Sequence, residues 1–109
     1  MKLPGRGELW WAELGDAGAR PVLVLSRDAA IQGRRRAMVA SCSTLVRGLP
    51  SEVLLEPGED PVHRRCVVQL DSVVDVDVRV LTRWLGSISS DRMRQTRTAM
   101  SVAIGCDGW

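Results

Sequence analysis

Hydrophobic and polar positions alternate in short stretches along most of the chain, which is the pattern of β-strands with one buried face. Each stretch ends at glycine, proline or a cluster of polar residues, as at Gly15 and at Pro57-Gly58. The run over residues 21–25 is apolar throughout and predicts a strand buried on both faces. We predict six strands, over residues 8–14, 20–26, 37–43, 52–56, 66–70 and 83–88.

Two segments carry weaker patterns. Gly33 and the three arginines that follow it are interpreted as a polar connection between the second and third strands. The fifth strand runs on toward Val74, where valine and aspartate begin to alternate up to Val78. We interpret that alternation as an edge or turn segment.

A helix is predicted at the C-terminal end of the pattern. Ser89 or Ser90 is a suitable N-cap, Asp91 is favourable in the first turn, and Gly105 ends the helix after about Ile104. One apolar stripe recurs at helical spacing: Met93, Thr96, Met100, Ala103 and Ile104. Five or six short strands and one amphipathic helix predict a mainly β fold, an antiparallel barrel with the helix packed at its side.

Composition supports one compact domain over residues 1–109. The chain has 45% hydrophobic and 26% charged residues, which is typical of a globular protein. Its longest apolar runs are far shorter than the ~20 residues that span a bilayer, and the N-terminus has no apolar signal core. We therefore expect a cytoplasmic protein.

Arginine dominates the basic residues. Of 15 basic residues 14 are arginine, although the net charge is only +2. Clusters lie at residues 34–36 and 64–65. Because the arginine fork suits phosphate, this bias fits a nucleic-acid partner, but a high-GC genome would produce the same bias without any function.

The spacing of the cysteines and the number of histidines exclude several kinds of metal and catalytic site. Cys42, Cys66 and Cys106 lack the short spacing of zinc sites, so we expect reduced, buried thiols and no metal or cofactor. His63 is the one histidine in the chain, which excludes any mechanism that needs two in one chain. Its neighbours Pro61 and Arg64 indicate a turn, so we expect a solvated loop residue. The tryptophans Trp10, Trp11 and Trp84 are expected in a core or interface.

The first two strands carry a specific motif. Residues 5–11 read Gly-Arg-Gly-Glu-Leu-Trp-Trp, and residues 20–26 read Arg-Pro-Val-Leu-Val-Leu-Ser. This order resembles the opening of MazF/PemK toxins, in which a Gly-Glu-Ile-Trp strand precedes an Arg-Pro-Val-Val-Val-Leu-Ser strand. Further matches at the family's spacing are Cys42-Ser43-Thr44, Pro50-Ser51-Glu52-Val53, Asp71 and Leu85-Gly86. The resemblance covers nearly the whole chain.

The resemblance implies the toxin of a type II toxin–antitoxin pair, with an SH3-like or CcdB-like barrel. Such a protein is a metal-independent, sequence-specific endoribonuclease of single-stranded RNA, an mRNA interferase. Its chemistry is attack of a ribose 2′-hydroxyl on the adjacent phosphate, which leaves a 2′,3′-cyclic phosphate and a 5′-hydroxyl. The implied partners are a MazE-like antitoxin and a second copy of the chain. Apolar surface around Trp84 and Met93 also favours a homodimer.

Two residues match the family's catalytic pair. Arg20 matches its arginine, and Ser43 stands where the family has threonine. Serine keeps the hydroxyl but lacks the methyl that restricts χ1, so we expect a less well positioned donor. The resemblance also leads us to expect RNA contacts from Thr44, Arg47 and Arg27. The loop between Leu14 and Arg20 is shorter than in many members, so no third catalytic residue is assigned.

Two alternatives stay open at this stage. One is a non-catalytic toxin on the same barrel that binds DNA gyrase, as the CcdB group does. The other is an RNA-binding relative with weakened catalysis, which the serine and the short loop would explain. Cleavage of RNA by the purified protein separates both from the endoribonuclease.

Overall fold

A computed structural model describes residues 2–105. It contains six strands: β1 (Glu8–Glu13), β2 (Ala19–Val24), β3 (Arg36–Ser43), β4 (Glu52–Leu55), β5 (Cys66–Asp77) and β6 (Leu81–Ser87). It contains two α-helices: α1 (Asp28–Arg34) and α2 (Ser90–Ala103). All six predicted strands and the C-terminal helix are present. None of the helices in the described part of the chain is long and apolar enough to cross a membrane.

The strands form one antiparallel sheet in the order β4-β5-β3-β2-β1-β6. This sheet curls into a half-barrel, with β4 and β6 at its two edges. The mainly β prediction with a C-terminal helix is confirmed. Neighbours in the sheet are mostly neighbours in sequence, because hairpin connections allow antiparallel strands to pair locally.

Both faces of the sheet are covered by apolar side chains, and β2 contributes to both. Leu23 belongs to a core cluster that includes half-buried Met93 and Met100 of α2. Val22 and Val24 belong to a second cluster with Ile31 of α1. All four β2 and α1 side chains in these clusters are fully buried. The prediction that residues 20–26 are buried on both faces is therefore confirmed for the centre of this strand.

The connection between β2 and β3 is helical, which corrects the interpretation of a polar loop. Helix α1 runs to Arg34, and Arg35 then takes a left-handed conformation with φ of 56°. Arg36 starts β3, and its Nε donates to Asp75 Oδ2 at 2.5 Å. Arg34 also pairs with Asp75. Part of the arginine cluster is therefore neutralised within the protein and is not free for a nucleic acid.

Strand β5 is longer than predicted. It continues through the valine and aspartate alternation to Asp77, which pairs with Arg36 of β3. The interpretation of residues 74–78 as a turn was wrong, because β3 lies beside this half of β5. The alternative of an edge segment agrees with the pairing, because β4 pairs only with residues 66–69 of β5. The aspartates of the exposed face find arginine partners on β3 and on the following turn at Arg79.

Helix α2 begins as predicted, with Ser89 Oγ accepting from Arg92 N at 3.1 Å. Thr96 and Ala99 are its fully buried positions, while Met93, Met100 and Ala103 are half-buried against the core. Ile104 was wrongly placed in the buried stripe. It is 62% exposed because the helix ends one residue earlier, at Ala103.

A buried ion pair joins α2 to the loop between β4 and β5. Arg92 Nε donates to both carboxylate oxygens of Asp60 at 3.2 Å. Asp60 also accepts from the backbone N–H of Glu56 at 2.8 Å. The side chain of Asp60 is only 2% exposed, and the carboxylate raises the pKa of the Arg92 guanidinium. These contacts fix the loop that continues into residues 61–65.

We predict that Asp60→Ala strongly destabilises the fold. The substitution removes the buried carboxylate that pairs with the half-buried Arg92 and accepts from the Glu56 N–H. Breaking a pair with a buried partner in this way costs about 3 kcal/mol. Urea unfolding followed by tryptophan fluorescence measures the loss.

Glu59→Ala is the matched control, because Glu59 pairs with the same guanidinium at 3.0 Å but is 73% exposed. An exposed pair is worth at most about 1 kcal/mol. Equal losses from the two substitutions would contradict the structural role given to Asp60.

Candidate active site

An open cleft of about 530 Å³ lies where β2 begins and β3 ends. Strand pairing explains why the two ends meet: the pairing of β2 with β3 ends at Val22 opposite Ser41, so Arg20 and Ser43 both lie just beyond the same end of the pairing. The cleft is lined by Trp11, Ala19, Arg20, Pro21, Cys42, Ser43, Thr44, Pro61, Val62, His63, Arg64, Cys66, Arg83 and Leu85. The structure thus brings the two predicted catalytic residues into one cleft.

The Arg20 guanidinium uses only part of its hydrogen-bonding capacity within the protein. Its Nη2 donates to the carbonyl oxygen of Ala17 at 2.6 Å, in the short loop between β1 and β2. Its Nε is buried and, within residues 2–105, has no hydrogen-bond partner. A buried donor without an acceptor is costly, and an anion in the cleft could supply that acceptor once the Arg20 side chain shifts to expose its Nε.

The Ser43 hydroxyl is held by the backbone. Its Oγ accepts from the N–H of Leu45 at 3.1 Å, at the point where β3 ends. Accepting this bond orients the oxygen and leaves its own hydrogen free to be donated. Ser43 therefore satisfies the backbone at a strand end and can still donate to a ligand.

The three residues predicted to contact RNA fall in different places. Thr44 follows Ser43 and lines the cleft. Arg47 lies three residues further along an exposed loop, outside the lining. Arg27 caps α1 beyond the far end of β2. Six residues of largely extended chain lie between Arg27 and Arg20, a path of seven steps or roughly 23 Å at about 3.3 Å per residue.

The sequence analysis did not assign four of the cleft-lining side chains to the site: Trp11, His63, Arg64 and Arg83. Arg83 lies over the ring of Trp11, with 5.8 Å between its Cζ and the ring centroid, and the two residues are opposite each other in β6 and β1. This pairing joins strands about 70 residues apart, and no local pattern reports it. Trp11 lies at the cleft, Trp10 is buried as expected, and Trp84 is 52% exposed.

Gly86 brings the loop of His63 to the cleft. Its φ of 146° suits glycine, and a Cβ at this position would overlap the Cβ of Pro61. The proline therefore packs directly on β6, and residues 61–64 follow over the cleft. His63 is in an exposed loop, as predicted, and that loop is part of the cleft wall.

Cys42 and Cys66 are buried free thiols, as predicted; Cys106, like Trp109, lies outside the described residues. The two thiols are hydrogen-bonded to each other, with Cys42 as donor. This bond together with burial raises the pKa of Cys42 well above its usual range, and it lowers the pKa of Cys66. Both thiols line the inner part of the cleft.

The charged side chains that line the cleft are all positive. Arg20, Arg64 and Arg83 contribute cations, and none of the described residues that line the cleft is a carboxylate. Within residues 2–105, no group of three or more histidine, cysteine or acidic side chains is arranged to hold a metal ion. A cationic cleft with several N–H and O–H donors is suited to a phosphate-bearing ligand.

Comparison with known proteins agrees with this geometry. Residues 5–104 match the family described as PemK-like, MazF-like toxin of type II toxin-antitoxin system. The chain belongs to the MazF/PemK toxin family. It is 58% identical over 104 residues to the "Probable endoribonuclease MazF5" of Mycobacterium tuberculosis, a match that covers 95% of each chain.

Solved MazF structures superpose closely on the chain. One is described as an endoribonuclease in complex with its cognate antitoxin from a mycobacterial species, with a TM-score of 0.85 and 27% identity over 97% of this chain and 98% of that one. Another is the Mycobacterium tuberculosis toxin MazF-mt6, with a TM-score of 0.82 and 28% identity over 90% and 96% of the two chains. The half-barrel with its C-terminal helix is therefore the MazF fold.

Proposed function

We propose that this MazF-family toxin is an endoribonuclease that cuts single-stranded RNA in the cleft between β2 and β3. The observation that carries the proposal is the meeting of Arg20 and Ser43 in one cationic cleft, with a buried Nε on the arginine that lacks a partner within the described chain. Relatives named as endoribonucleases match almost the whole chain. An mRNA substrate would place the protein in the cytoplasm.

The reaction that fits these side chains is attack of a ribose 2′-hydroxyl on its adjacent phosphate. The attacking group belongs to the RNA, so no protein nucleophile is required. The transition state gathers negative charge on the phosphoryl oxygens, and fixed N–H and O–H donors stabilise it. The Arg20 guanidinium supplies the charged donor, and the Ser43 hydroxyl supplies a neutral one. We propose a 2′,3′-cyclic phosphate and a 5′-hydroxyl as products.

The other predicted residues would act outside this pair. Thr44 adds a hydroxyl to the cleft wall and is proposed to contact RNA there. Arg47 and Arg27 lie outside the lining, and we propose that they hold the phosphates of flanking nucleotides. Phosphate contacts of this kind position the RNA without reading its sequence.

The two alternative functions, a gyrase-binding toxin and a catalytically weakened relative, can be compared with the arrangement of the cleft. A gyrase-binding toxin has no use for a cationic cleft in which an arginine Nε lacks a partner among the described residues, and the close relatives are named as endoribonucleases. A catalytically weakened relative would keep the cleft and lose the rate. Ser43 retains its hydroxyl and is oriented by the Leu45 N–H, which supports activity.

We predict that Arg20→Ala slows cleavage about 10²–10³-fold, the usual effect of losing one well-placed donor to transition-state charge. Arg20→Lys keeps the charge without the planar fork and should restore only part of the rate. Ser43→Ala should also slow cleavage, whereas Ser43→Thr should keep or raise the rate. The measurement is single-turnover cleavage of an RNA that contains the preferred site, with EDTA present.

Arg97→Ala is the control for loss of one positive charge, because Arg97 is exposed on α2 and outside the cleft. Its cleavage rate should equal that of the parent. Cleavage at the parental rate by Arg20→Ala, or loss of cleavage on adding EDTA, would contradict the assigned site. Intact RNA together with inhibited gyrase supercoiling would favour the gyrase-binding alternative.

We also propose a homodimer. Exposed apolar side chains support it: Trp84 on the edge strand β6 is 52% exposed, and Leu45 beyond β3 is 58% exposed. Met93, which the sequence placed in this surface, packs inward, with its Sδ 3.4 Å from the position of a Cβ on Gly7.

Sedimentation at micromolar concentration should give a species of about twice the 12.0 kDa of one chain. Trp84→Ala should shift it toward the monomer, while Thr82→Ala, an exposed neighbour on β6, should not. A species of a single chain mass at these concentrations would contradict the dimer.

A MazE-like antitoxin is the proposed protein partner, as in the structure of the mycobacterial complex. An acidic and apolar segment lying over the cationic cleft would compete with RNA. We expect the antitoxin to displace a labelled RNA, and we expect added salt to weaken antitoxin binding only in part, because apolar anchors are not screened. Simultaneous binding of antitoxin and RNA in the same assay would contradict this mode of inhibition.

A further inference from the structure

The cleft has many donors and few proton acceptors. Arg20, Arg64 and Arg83 can stabilise charge, and Ser43 can donate a hydrogen bond. Arginine stays protonated in proteins, so these groups cannot take a proton near neutral pH. Attack by a 2′-hydroxyl is assisted by a group that can take its proton. None of the described lining residues is a carboxylate, so the lining side chains that could take this proton are His63, Cys42 and Cys66.

The two cysteines are poorly suited to this role. Cys42 is buried and donates to Cys66, and the pKa of Cys42 is raised well above its usual range. Cys66 is only 5% exposed, and its sulfur already accepts the hydrogen bond that lowers its pKa. Both thiols belong to the core cluster beneath the cleft. Both sulfurs line the cleft but are almost completely buried, so a ribose beside the Ser43 hydroxyl has little access to them.

His63, unlike the two cysteines, has an exposed side chain. It is exposed in the wall of the cleft, on the loop fixed by the Pro61 contact with Gly86. Within residues 2–105, the structure gives its imidazole no hydrogen bond or ion pair, so both ring nitrogens are available. An imidazole can accept a proton, which a guanidinium cannot do near neutral pH.

We propose that His63 is the general base of RNA cleavage, which accepts the proton of the attacking 2′-hydroxyl. The proposal rests on the proposed function of the cleft. The charged and titratable groups that line the cleft together with His63 are Arg20 of β2, Arg83 of β6, the adjacent Arg64, and the Cys42 and Cys66 thiols. The carboxylate of Asp60, nearest along the loop, is engaged by Arg92.

The step balances without any further reactant. The O2′–P bond forms as the P–O5′ bond breaks, and the 2′-proton moves to the imidazole. The 5′-oxygen leaves with a proton taken from water. The imidazolium then returns its proton to solvent and regenerates the neutral base. Arg20 and Ser43 stabilise the phosphoryl oxygens during this exchange and neither gains nor loses a proton.

The test is the pH dependence of single-turnover cleavage by the full chain. In the parent the logarithm of the rate should rise with pH and then level off, because only the neutral imidazole accepts a proton. His63→Gln should lower the plateau about 10²-fold or more and remove this rise. Arg65→Ala is the matched control, since Arg65 lies on the same loop but pairs with Glu56 outside the lining. It should keep both the rate and the profile.

Chemical rescue separates a proton acceptor from a merely structural residue. Imidazole added to His63→Ala should raise its rate with a dependence on the concentration of neutral imidazole, and should leave Arg20→Ala unchanged. If Cys66→Ala, rather than His63→Gln, removes the rise with pH, the proposal is overturned. It is equally overturned if His63→Gln cleaves with the parental rate and profile while Arg20→Ala is inactive, an outcome that leaves the endoribonuclease itself intact. A parent chain that does not cut RNA would contradict both.

Discussion

The candidate active site depends on the antiparallel pairing of β2 with β3. The register that sets Val22 opposite Ser41 also brings the start of β2 to the end of β3. It is maintained by fully buried side chains on both faces of β2, with Leu23 in one core cluster and Val22 in the other. A slip by one residue would exchange the two faces and bury polar groups. The same packing that stabilises the sheet therefore keeps a guanidinium and a hydroxyl in one cleft.

The second wall of the cleft depends on two contacts distant in sequence. The buried Asp60 carboxylate ties the loop between β4 and β5 to α2 through Arg92, and Gly86 gives Pro61 room to pack on β6. Together they bring His63 and Arg64 to the cleft. One side of the cleft is therefore formed by the ends of β2 and β3. The other side is a loop whose position depends on the Asp60–Arg92 ion pair and on Gly86.

Sequence patterns predicted best those features that depend on residues close together in the chain. The apolar run of β2, the helix start at Ser89 and the Arg20 and Ser43 motif positions could all be read in this way. The helix α1 was missed because its seven residues bury one side chain, Ile31. The second half of β5 was misread because its polar face is balanced by Arg36, which lies about 40 residues earlier.

The wall residues of the cleft could not be predicted for a similar reason. Arg83 reaches Trp11 through the pairing of β6 with β1, and His63 reaches the cleft through the fit of Pro61 on Gly86. Both contacts are made across the sheet, and single-sequence patterns report only neighbours along the chain. The excess of arginine over lysine did not distinguish structural from functional residues either, because Arg36 forms an internal ion pair whereas Arg64 lines the cleft.

The most direct measurement of the central claim uses an RNA in which only the ribose at the cleavage site lacks its 2′-hydroxyl. If the cleft positions that hydroxyl for attack, the substituted RNA should bind with nearly the affinity of the parent RNA and should not be cut. The parent RNA should yield a 2′,3′-cyclic phosphate and a 5′-hydroxyl, detected by mass spectrometry. Cleavage of the substituted RNA at the parental rate would show that water or a protein group attacks the phosphate, and would contradict the account.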